Sequence, residues 1–177
     1  MRLFERFVPD LRRDTIYDID VPALAEKGIR AVLLDIDNTL VTYDDPEPTS
    51  PVLRWFDALT AAGIRIAFIS NNHEERVARF NSRLGFYAAA DSGKPAKREY
   101  LKAMAALGTD ETSTAVIGDQ IFTDVWAGKR LGLYSILVLP IKDKKTLFFR
   151  SKRLLEKPFL RVYENRQRKK RKKENIK

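Results

Sequence analysis

The sequence predicts an α/β protein with a Rossmann-like parallel sheet and helices on both faces. From residue 30 onward, short apolar segments rich in β-branched residues alternate with longer segments of helical periodicity. A strand can return parallel to its predecessor only through a crossover, which is usually a helix. Glycines mark the ends expected for the helical segments, at positions 63, 85, 108 and 132.

The individual elements follow from these segments. Strands are predicted at 31–34, 64–70, 87–90, 114–117 and 134–138. Amphipathic helices are predicted at 51–62, 74–84, 95–107 and, as a shorter element, 122–131. The gaps leave no room for a further inserted domain that would cover the sheet edge. We therefore expect an open, uncapped site.

The chain length of 177 residues suits a single core, which we place at 30–141. The sequence contains no cysteine, which excludes disulfides, thiolate zinc sites and cysteine nucleophiles. Its apolar stretches are far shorter than the roughly 20 residues of a membrane-spanning helix, and the charged N-terminus is unlike a signal peptide. We expect a cytoplasmic location, with peripheral attachment to the inner face of the membrane as an open alternative.

Positive charge is concentrated at the C-terminus. The net charge is +9, and residues 150–177 contain 13 Lys and Arg against 3 Glu, so the rest of the chain is nearly neutral. We assign 142–177 as a basic extension, with 166–177 disordered. The basic run is interpreted as a solvated arm, or as a contact for anionic lipid or nucleic acid.

The first 29 residues are assigned as an amphipathic extension. Phe4, Phe7, Val8 and Leu11 recur at roughly helical spacing between arginines. Such a helix either packs on the main domain or lies on a membrane surface.

Polar residues gather where the predicted strands end. Asp35 follows the first strand, Ser70 and Asn71 the second, and Asp119 the fourth, while Lys94 lies shortly after the third. Ligands of open parallel sheets bind at the carboxyl ends of the strands. These residues are therefore expected to share one site.

The pair Asp35 and Asp37 indicates the chemistry. The two residues flank Ile36, and alternation along a strand points both carboxylates to the same side. One can attack phosphorus and form an aspartyl-phosphate, while the other protonates the leaving oxygen and later accepts a proton from water. Carboxylates this close need a cation, and hard oxygen ligands suit Mg²⁺, with Asp119 completing the metal site.

A phosphate dianion also needs positive charge and hydrogen-bond donors. Lys94, the Ser70 hydroxyl and backbone N–H groups near Asn71 provide them. Lys97 is a competing lysine. His73, the only histidine, is expected to begin a helix near the site and is not assigned a catalytic role. Taken singly, such residues often only cap helices or form turns.

The segment 35–40 (Asp-Ile-Asp-Asn-Thr-Leu), Ser70, the pair Lys94-Pro95 and the segment 118–124 together resemble the haloacid dehalogenase (HAD) superfamily, subfamily IIIA. The resemblance covers about residues 30–140. It implies a phosphatase or phosphotransferase, because a dehalogenase lacks an acid at the position of Asp37. The implied roles are nucleophile and metal ligand for Asp35, acid/base and main-chain metal ligand for Asp37, phosphate binding for Ser70 and Lys94, metal ligation for Asp119 and support for Asp124.

Within the superfamily the sequence is most similar to bacterial YqeG-type phosphatases, which resemble mitochondrial phosphatidylglycerophosphate phosphatases. The similarity implies hydrolysis of phosphatidylglycerophosphate to phosphatidylglycerol, and an open site and basic tail are compatible with a lipid substrate. Two alternatives remain open. One is a phosphatase of a soluble sugar or nucleotide phosphate, acting as an oligomer. The other is an RNA- or ribosome-associated binding protein that uses the fold as a scaffold.

Overall fold

A six-stranded sheet forms the centre of the protein. The computed structural model describes residues 3–142 and 147–174, with side chains throughout except at 3, 147–153, 170, 173 and 174. The strands are β1 (Leu11–Arg13), β2 (Ala31–Leu34), β3 (Arg65–Ile69), β4 (Tyr87–Ala89), β5 (Thr114–Gly118) and β6 (Tyr134–Val138). All pairings are parallel, and the spatial order is β1-β6-β5-β2-β3-β4. This confirms the predicted fold class.

Helices connect the strands. They are α1 (Val21–Glu26), α2 (Ser50–Ala61), α3 (Glu74–Asn81), α4 (Arg98–Leu107), α5 (Trp126–Leu131) and α6 (Leu147–Glu174). Short 3-10 helices span Leu3–Phe7 and Ile16–Asp18, and a π-helical turn, Ile121–Val125, leads into α5. In the described part of the chain, none of the helices combines the length and apolarity that crossing a membrane requires.

Both faces of the sheet are buried. On β2, Val32 and Leu34 belong to the larger apolar cluster, which also contains side chains of α1, α2 and α3. Leu33 points the other way, into a second cluster with side chains of α4 and α5. Burial on both faces explains why the strand segments are continuously apolar rather than alternating.

The N-terminal segment is not one amphipathic helix. The helix ends at Phe7, and Leu11 begins β1, which pairs with β6 at the edge of the sheet. Pro9 accounts for the break, because it lacks an N–H donor and disfavours helix in the residue before it. The Asp10 carboxylate then accepts hydrogen bonds from Ser135 and Lys129. Phe7 packs on the domain, with its ring 5.2 Å from Trp126 and 5.0 Å from Phe159.

The C-terminal segment also differs from the expectation of disorder. Residues 166–174 continue α6, which suits their composition, since Arg, Lys, Gln and Glu are good helix formers; residues 175–177 lie outside the described part. Ring contacts of Phe159 and two hydrogen bonds are among the contacts that attach α6 to the domain. The buried Glu156 carboxylate accepts the Ile121 N–H at 3.1 Å, and the Tyr163 hydroxyl accepts the Arg12 N–H at 3.0 Å.

Within residues 3–142 and 147–174, no additional domain covers the carboxyl edge of the sheet. Between Asp37 and Ser70 the chain forms a loop, α2 and β3, and between Ser70 and Lys94 it forms α3 and β4. The prediction of a fold without a cap domain is confirmed.

Substitution of Phe68 tests how much the larger apolar cluster contributes to stability. Phe68 is fully buried on β3, with ring centroids 5.3 Å from Phe80 and 5.8 Å from both Phe56 and Phe86. We expect Phe68→Ala to lower the free energy of unfolding by about 3–5 kcal/mol, because it removes apolar burial and leaves a cavity. Denaturant unfolding measures this change. The control Leu101→Ala, at a side chain that is already 51% exposed, should change stability by less than about 0.5 kcal/mol.

Candidate active site

The candidate site lies where the direction of chain progression reverses. β2 has β3 on one side and β5 on the other, so the chain leaves β2 toward one edge and later returns to its opposite side. Such a switch point opens a crevice at the carboxyl ends of the strands. Asp35 follows β2, Ser70 follows β3 and Asp119 follows β5.

A buried ion cluster forms the base of the site. Lys94 Nζ lies 2.5 Å from Asp35 Oδ1 and 2.7 Å from Asp124 Oδ1. The Thr39 hydroxyl donates to Asp35 Oδ2 at 2.9 Å. Burial raises the pKa of Asp35 to about 6, against the opposing effect of Lys94. Burial lowers the pKa of Lys94, but the carboxylates of Asp124 and Asp35 outweigh it and hold that pKa well above its ordinary value.

Three carboxylates of this cluster can hold a divalent cation. Asp35, Asp119 and Asp124 each offer an oxygen within 4.8 Å of the other two, and all three residues are buried. Hard carboxylate oxygens gathered this closely fit Mg²⁺ or a similar divalent ion. Asp124, which the sequence suggested only as a support, is part of this group.

The Asp37 carboxylate faces different partners. Its Oδ1 accepts from Arg76 Nε at 3.1 Å and Arg76 Nη2 at 2.9 Å, and its Oδ2 accepts from Asn72 Nδ2 at 3.0 Å. The metal-binding role inferred for Asp37 concerns its main-chain carbonyl, so these side-chain contacts do not conflict with it.

Asn71 holds the loop that carries Lys94. Its Oδ1 accepts from the Lys94 main-chain N–H at 2.7 Å and from the Ser92 hydroxyl at 3.0 Å. The Ser70 Oγ accepts from the Asn72 N–H at 3.0 Å. The Asn71 side chain is therefore used to position Lys94, and its main-chain N–H is the group considered for phosphate binding.

A cavity of about 250 Å³ opens onto these residues. Most of its lining is polar, and it includes Asp35, Asp37, Tyr43, Ser70, Asn71, Asn72, Lys94, Gln120 and Thr123. Burial, and then the nearby Asp35 carboxylate, raises the pKa of Tyr43 to about 12. The phenol therefore stays neutral near pH 7 and faces the cavity as a hydroxyl group.

Gly118 lets Asp124 approach the end of β5. A Cβ at position 118 would lie 2.3 Å from Asp124 Cγ and 2.6 Å from Asp124 Cβ, far inside contact distance. With glycine there, Asp124 Oδ2 accepts from the Gln120 N–H at 3.3 Å and from the Thr123 hydroxyl at 3.1 Å. The glycine in the segment 118–124 is thus required by the packing of a cluster carboxylate.

The structure brings all the sequence-predicted site residues to one place. Asp35, Asp37, Ser70, Asn71 and Lys94 line the cavity, and Asp119 and Asp124 join the carboxylate group. His73 precedes α3, is exposed, and has its Nδ1 3.1 Å from Asp91 Oδ1.

The site also contains residues to which the sequence analysis gave no role, among them Thr39, Tyr43, Asn72 and Arg76. Thr39 lies inside the quoted segment 35–40, so its position carried a signal. Tyr43 lies in an irregular loop, and Arg76 is one of many arginines on a polar helix, so neither stands out in the sequence.

Comparisons with known proteins agree with this geometry. Residues 2–132 match the family model described as haloacid dehalogenase-like hydrolase. The chain is 33% identical over 154 residues to the probable phosphatase YqeG of Bacillus subtilis (strain 168), covering 87% of this chain and 90% of that protein.

Solved structures show the same fold at low identity. An uncharacterized protein from Listeria monocytogenes serotype 4b aligns with TM-score 0.54 and 18% identity over 67% of this chain and 85% of that chain. The cobalt-bound deoxy-D-mannose-octulosonate 8-phosphate phosphatase of Haemophilus influenzae aligns with TM-score 0.50 and 16% identity, over 78% and 91%.

The chain belongs to the haloacid dehalogenase-like hydrolases. Its similarity to a phosphatase over most of both chains, together with the family match, identifies it as a phosphatase acting on a phosphate ester.

Gly118→Ala tests the packing that places Asp124. The new methyl group must displace Asp124, so we expect a loss of about 1–3 kcal/mol in the free energy of unfolding. Affinity for Mg²⁺ or Co²⁺, measured by calorimetry, should also fall at least about tenfold. Asp124→Asn is the matched control, because it keeps the shape of the side chain. It should lower cation affinity with a smaller effect on the free energy of unfolding. Unchanged cation affinity in both variants would remove Asp124 from the metal site.

Proposed function

We propose that the protein is a Mg²⁺-dependent phosphomonoester hydrolase that works through a phosphoaspartate at Asp35, and that its substrate is phosphatidylglycerophosphate. The observation that carries the chemistry is the arrangement of Asp35 between Lys94 and Thr39 at the floor of a polar cavity, with Asp37 on the cavity wall.

The residues divide the reaction into two steps. Asp35 attacks phosphorus, the bond to the leaving oxygen breaks, and Asp37 gives that oxygen a proton. Water then attacks the phosphoaspartate, Asp37 takes the proton from the water, and phosphate leaves with Asp35 restored. Lys94 holds Asp35 in place and offers positive charge to the phosphoryl oxygens, and the Ser70 hydroxyl lies on the same cavity wall.

The metal would be held by Asp35, Asp119 and Asp124, with the main-chain carbonyl of Asp37 as a further ligand. When bound, Mg²⁺ supplies charge neutralisation and Lewis-acid polarisation of the phosphoryl group. The close grouping of these three buried carboxylates, each with an oxygen within 4.8 Å of the other two, supports this assignment.

A groove next to the catalytic cavity supports a lipid substrate. The groove has a volume of about 490 Å³, and the segment 39–42 forms one of its walls. Asp37 and Tyr43, which flank this segment in the sequence, line the catalytic cavity, so the groove and the cavity are neighbours. Tyr17, Leu139 and Ile141 add apolar side chains that are 50%, 39% and 52% exposed. An exposed apolar surface beside a phosphate site suits a substrate with acyl chains.

Charge near this groove is consistent with an anionic lipid surface. The adjoining surface between β1 and α6 presents Arg12, Arg13, Arg168 and Arg171, with Asp14 shared between the two grooves. Basic residues near an apolar contact favour anionic headgroups. In this proposal the enzyme works in the cytoplasm, against the inner face of the membrane.

Asp35→Asn tests the covalent mechanism. Purified protein with Mg²⁺ should release phosphate from phosphatidylglycerophosphate in mixed micelles, and the variant should lose about a thousandfold or more in kcat, because the amide is a poor nucleophile. A chelator should abolish wild-type release, and added Mg²⁺ should restore it. The control is Asp57→Asn, at an exposed aspartate on α2. Full activity of Asp35→Asn would overturn the mechanism.

Ile141→Ser tests the lipid assignment. We expect kcat/KM for phosphatidylglycerophosphate to fall at least about fivefold, while kcat/KM for p-nitrophenyl phosphate stays within about twofold, since only the lipid reaches the groove. The matched control is Leu101→Ser, at a leucine of similar exposure (51%) on α4. Far faster turnover of soluble sugar or nucleotide phosphates would instead favour a soluble substrate. Salt-sensitive RNA binding without ester hydrolysis would favour the scaffold alternative.

A further inference from the structure

Arg76 holds the acid/base carboxylate from outside the catalytic cavity. Its guanidinium donates from Nε and Nη2 to Asp37 Oδ1, at 3.1 and 2.9 Å. The cavity lining contains Asp37 but not Arg76, which instead lines a neighbouring groove with His73 and Arg79. Arg76 therefore contacts the proposed acid/base without facing the position of the phosphate.

The arginine is itself firmly placed. Its Nη1 donates to the Pro46 carbonyl at 2.9 Å, and its guanidinium lies over the Phe80 ring at 5.6 Å. Only 15% of its side chain is exposed. The residue thus joins α3 to the loop that follows Asp37 in the sequence, and all three contacts depend on the planar fork of an arginine.

The two oxygens of Asp37 are left in unequal positions. Oδ1 accepts two N–H donors from Arg76, which occupy its acceptor capacity, whereas within the described residues Oδ2 accepts a single donor, Asn72 Nδ2, at 3.0 Å. Oδ2 is therefore the oxygen with capacity left for a substrate or water.

We propose that Arg76 is a positioning residue that fixes the Asp37 carboxylate and selects Oδ2 for proton exchange with the leaving group and the attacking water. This inference rests on the acid/base role given to Asp37 above. Arg76 reaches the reacting groups through Asp37, so its removal should impair the reaction in the same way as a weakened acid, and mainly where an acid is needed.

Two esters of similar shape separate this role from a structural one. p-Nitrophenyl phosphate has a leaving group that departs readily without a proton, whereas phenyl phosphate depends on protonation of its leaving oxygen. We expect Arg76→Ala to lower kcat/KM for phenyl phosphate about 10- to 100-fold and for p-nitrophenyl phosphate less than about threefold. The comparison uses kcat/KM, because this constant covers departure of the leaving group and excludes the later hydrolysis of the phosphoaspartate.

Variants of the same contact define the control set. Asp37→Asn should show the same difference in kcat/KM between the two esters. The double variant that combines Asp37→Asn with Arg76→Ala should have the same ratio of the two kcat/KM values as Asp37→Asn, because both substitutions affect the same carboxyl group. Arg76→Lys should recover only part of the phenyl phosphate activity, since an ammonium cannot reproduce the fork. Arg79→Ala removes an exposed positive charge from the same helix and should leave the ratio unchanged.

Suppose that Arg76→Ala lowers kcat/KM equally for both esters, while Asp37→Asn lowers it far more for phenyl phosphate. This result would overturn the role of Arg76 and leave the proposed function intact. No difference in Asp37→Asn would instead remove Asp37 as the acid. The crystal structure of Arg76→Ala then decides the inference independently of turnover: a displaced Asp37 carboxylate supports positioning by Arg76, and an unmoved one contradicts it.

Discussion

The site depends on one buried ammonium group. Lys94 Nζ contacts both Asp35 and Asp124, and only 3% of its side chain is exposed. Buried carboxylates are tolerated only when a counter-charge or donors compensate them, so this lysine allows acidic groups from β2 and from the turn after β5 to lie side by side. The main chain of Lys94 is held in turn by Asn71, after β3. The ion cluster thus links three neighbouring segments of the sheet edge.

The central sheet and most of the ion cluster could be predicted from the sequence, because the strands that form the sheet also place the cluster residues at their carboxyl ends. Continuous apolar strands have to be buried on both faces, and parallel strands have to place their carboxyl ends at one edge. Asp35, Ser70 and Asp119 follow such strands directly, so their meeting is a consequence of topology. Lys94 lies five residues after the end of β4, whereas each of these lies one residue after its strand, and the placement of Lys94 also relied on the family resemblance.

Other features could not be predicted because their signals are not local. β1 has only three residues, two of them arginines, and it forms because β6 offers a free edge and Asp10 binds Ser135 and Lys129. Arg76 lies on a polar helix, where its sequence environment matches that of any exposed arginine. The order of residues 166–174 follows from a helix that begins earlier and is attached to the domain through Glu156 and Tyr163.

Asn38, which lies between Asp37 and Thr39 in the sequence, also binds a distant part of the chain. Its side chain pairs with the main chain of Lys142, with Nδ2 donating at 2.8 Å and Oδ1 accepting at 3.0 Å, and its carbonyl accepts the Ile141 N–H at 3.0 Å. Asn38 has a φ of 72°, a conformation that asparagine tolerates better than most residues. The loop that carries Asp35 and Asp37 is therefore closed by the segment that leads from β6 toward the basic helix. A chain shortened before residue 142 would lose both the contact between Asn38 and Lys142 and the basic tail. Only truncations after Lys142 remove the tail and keep this contact.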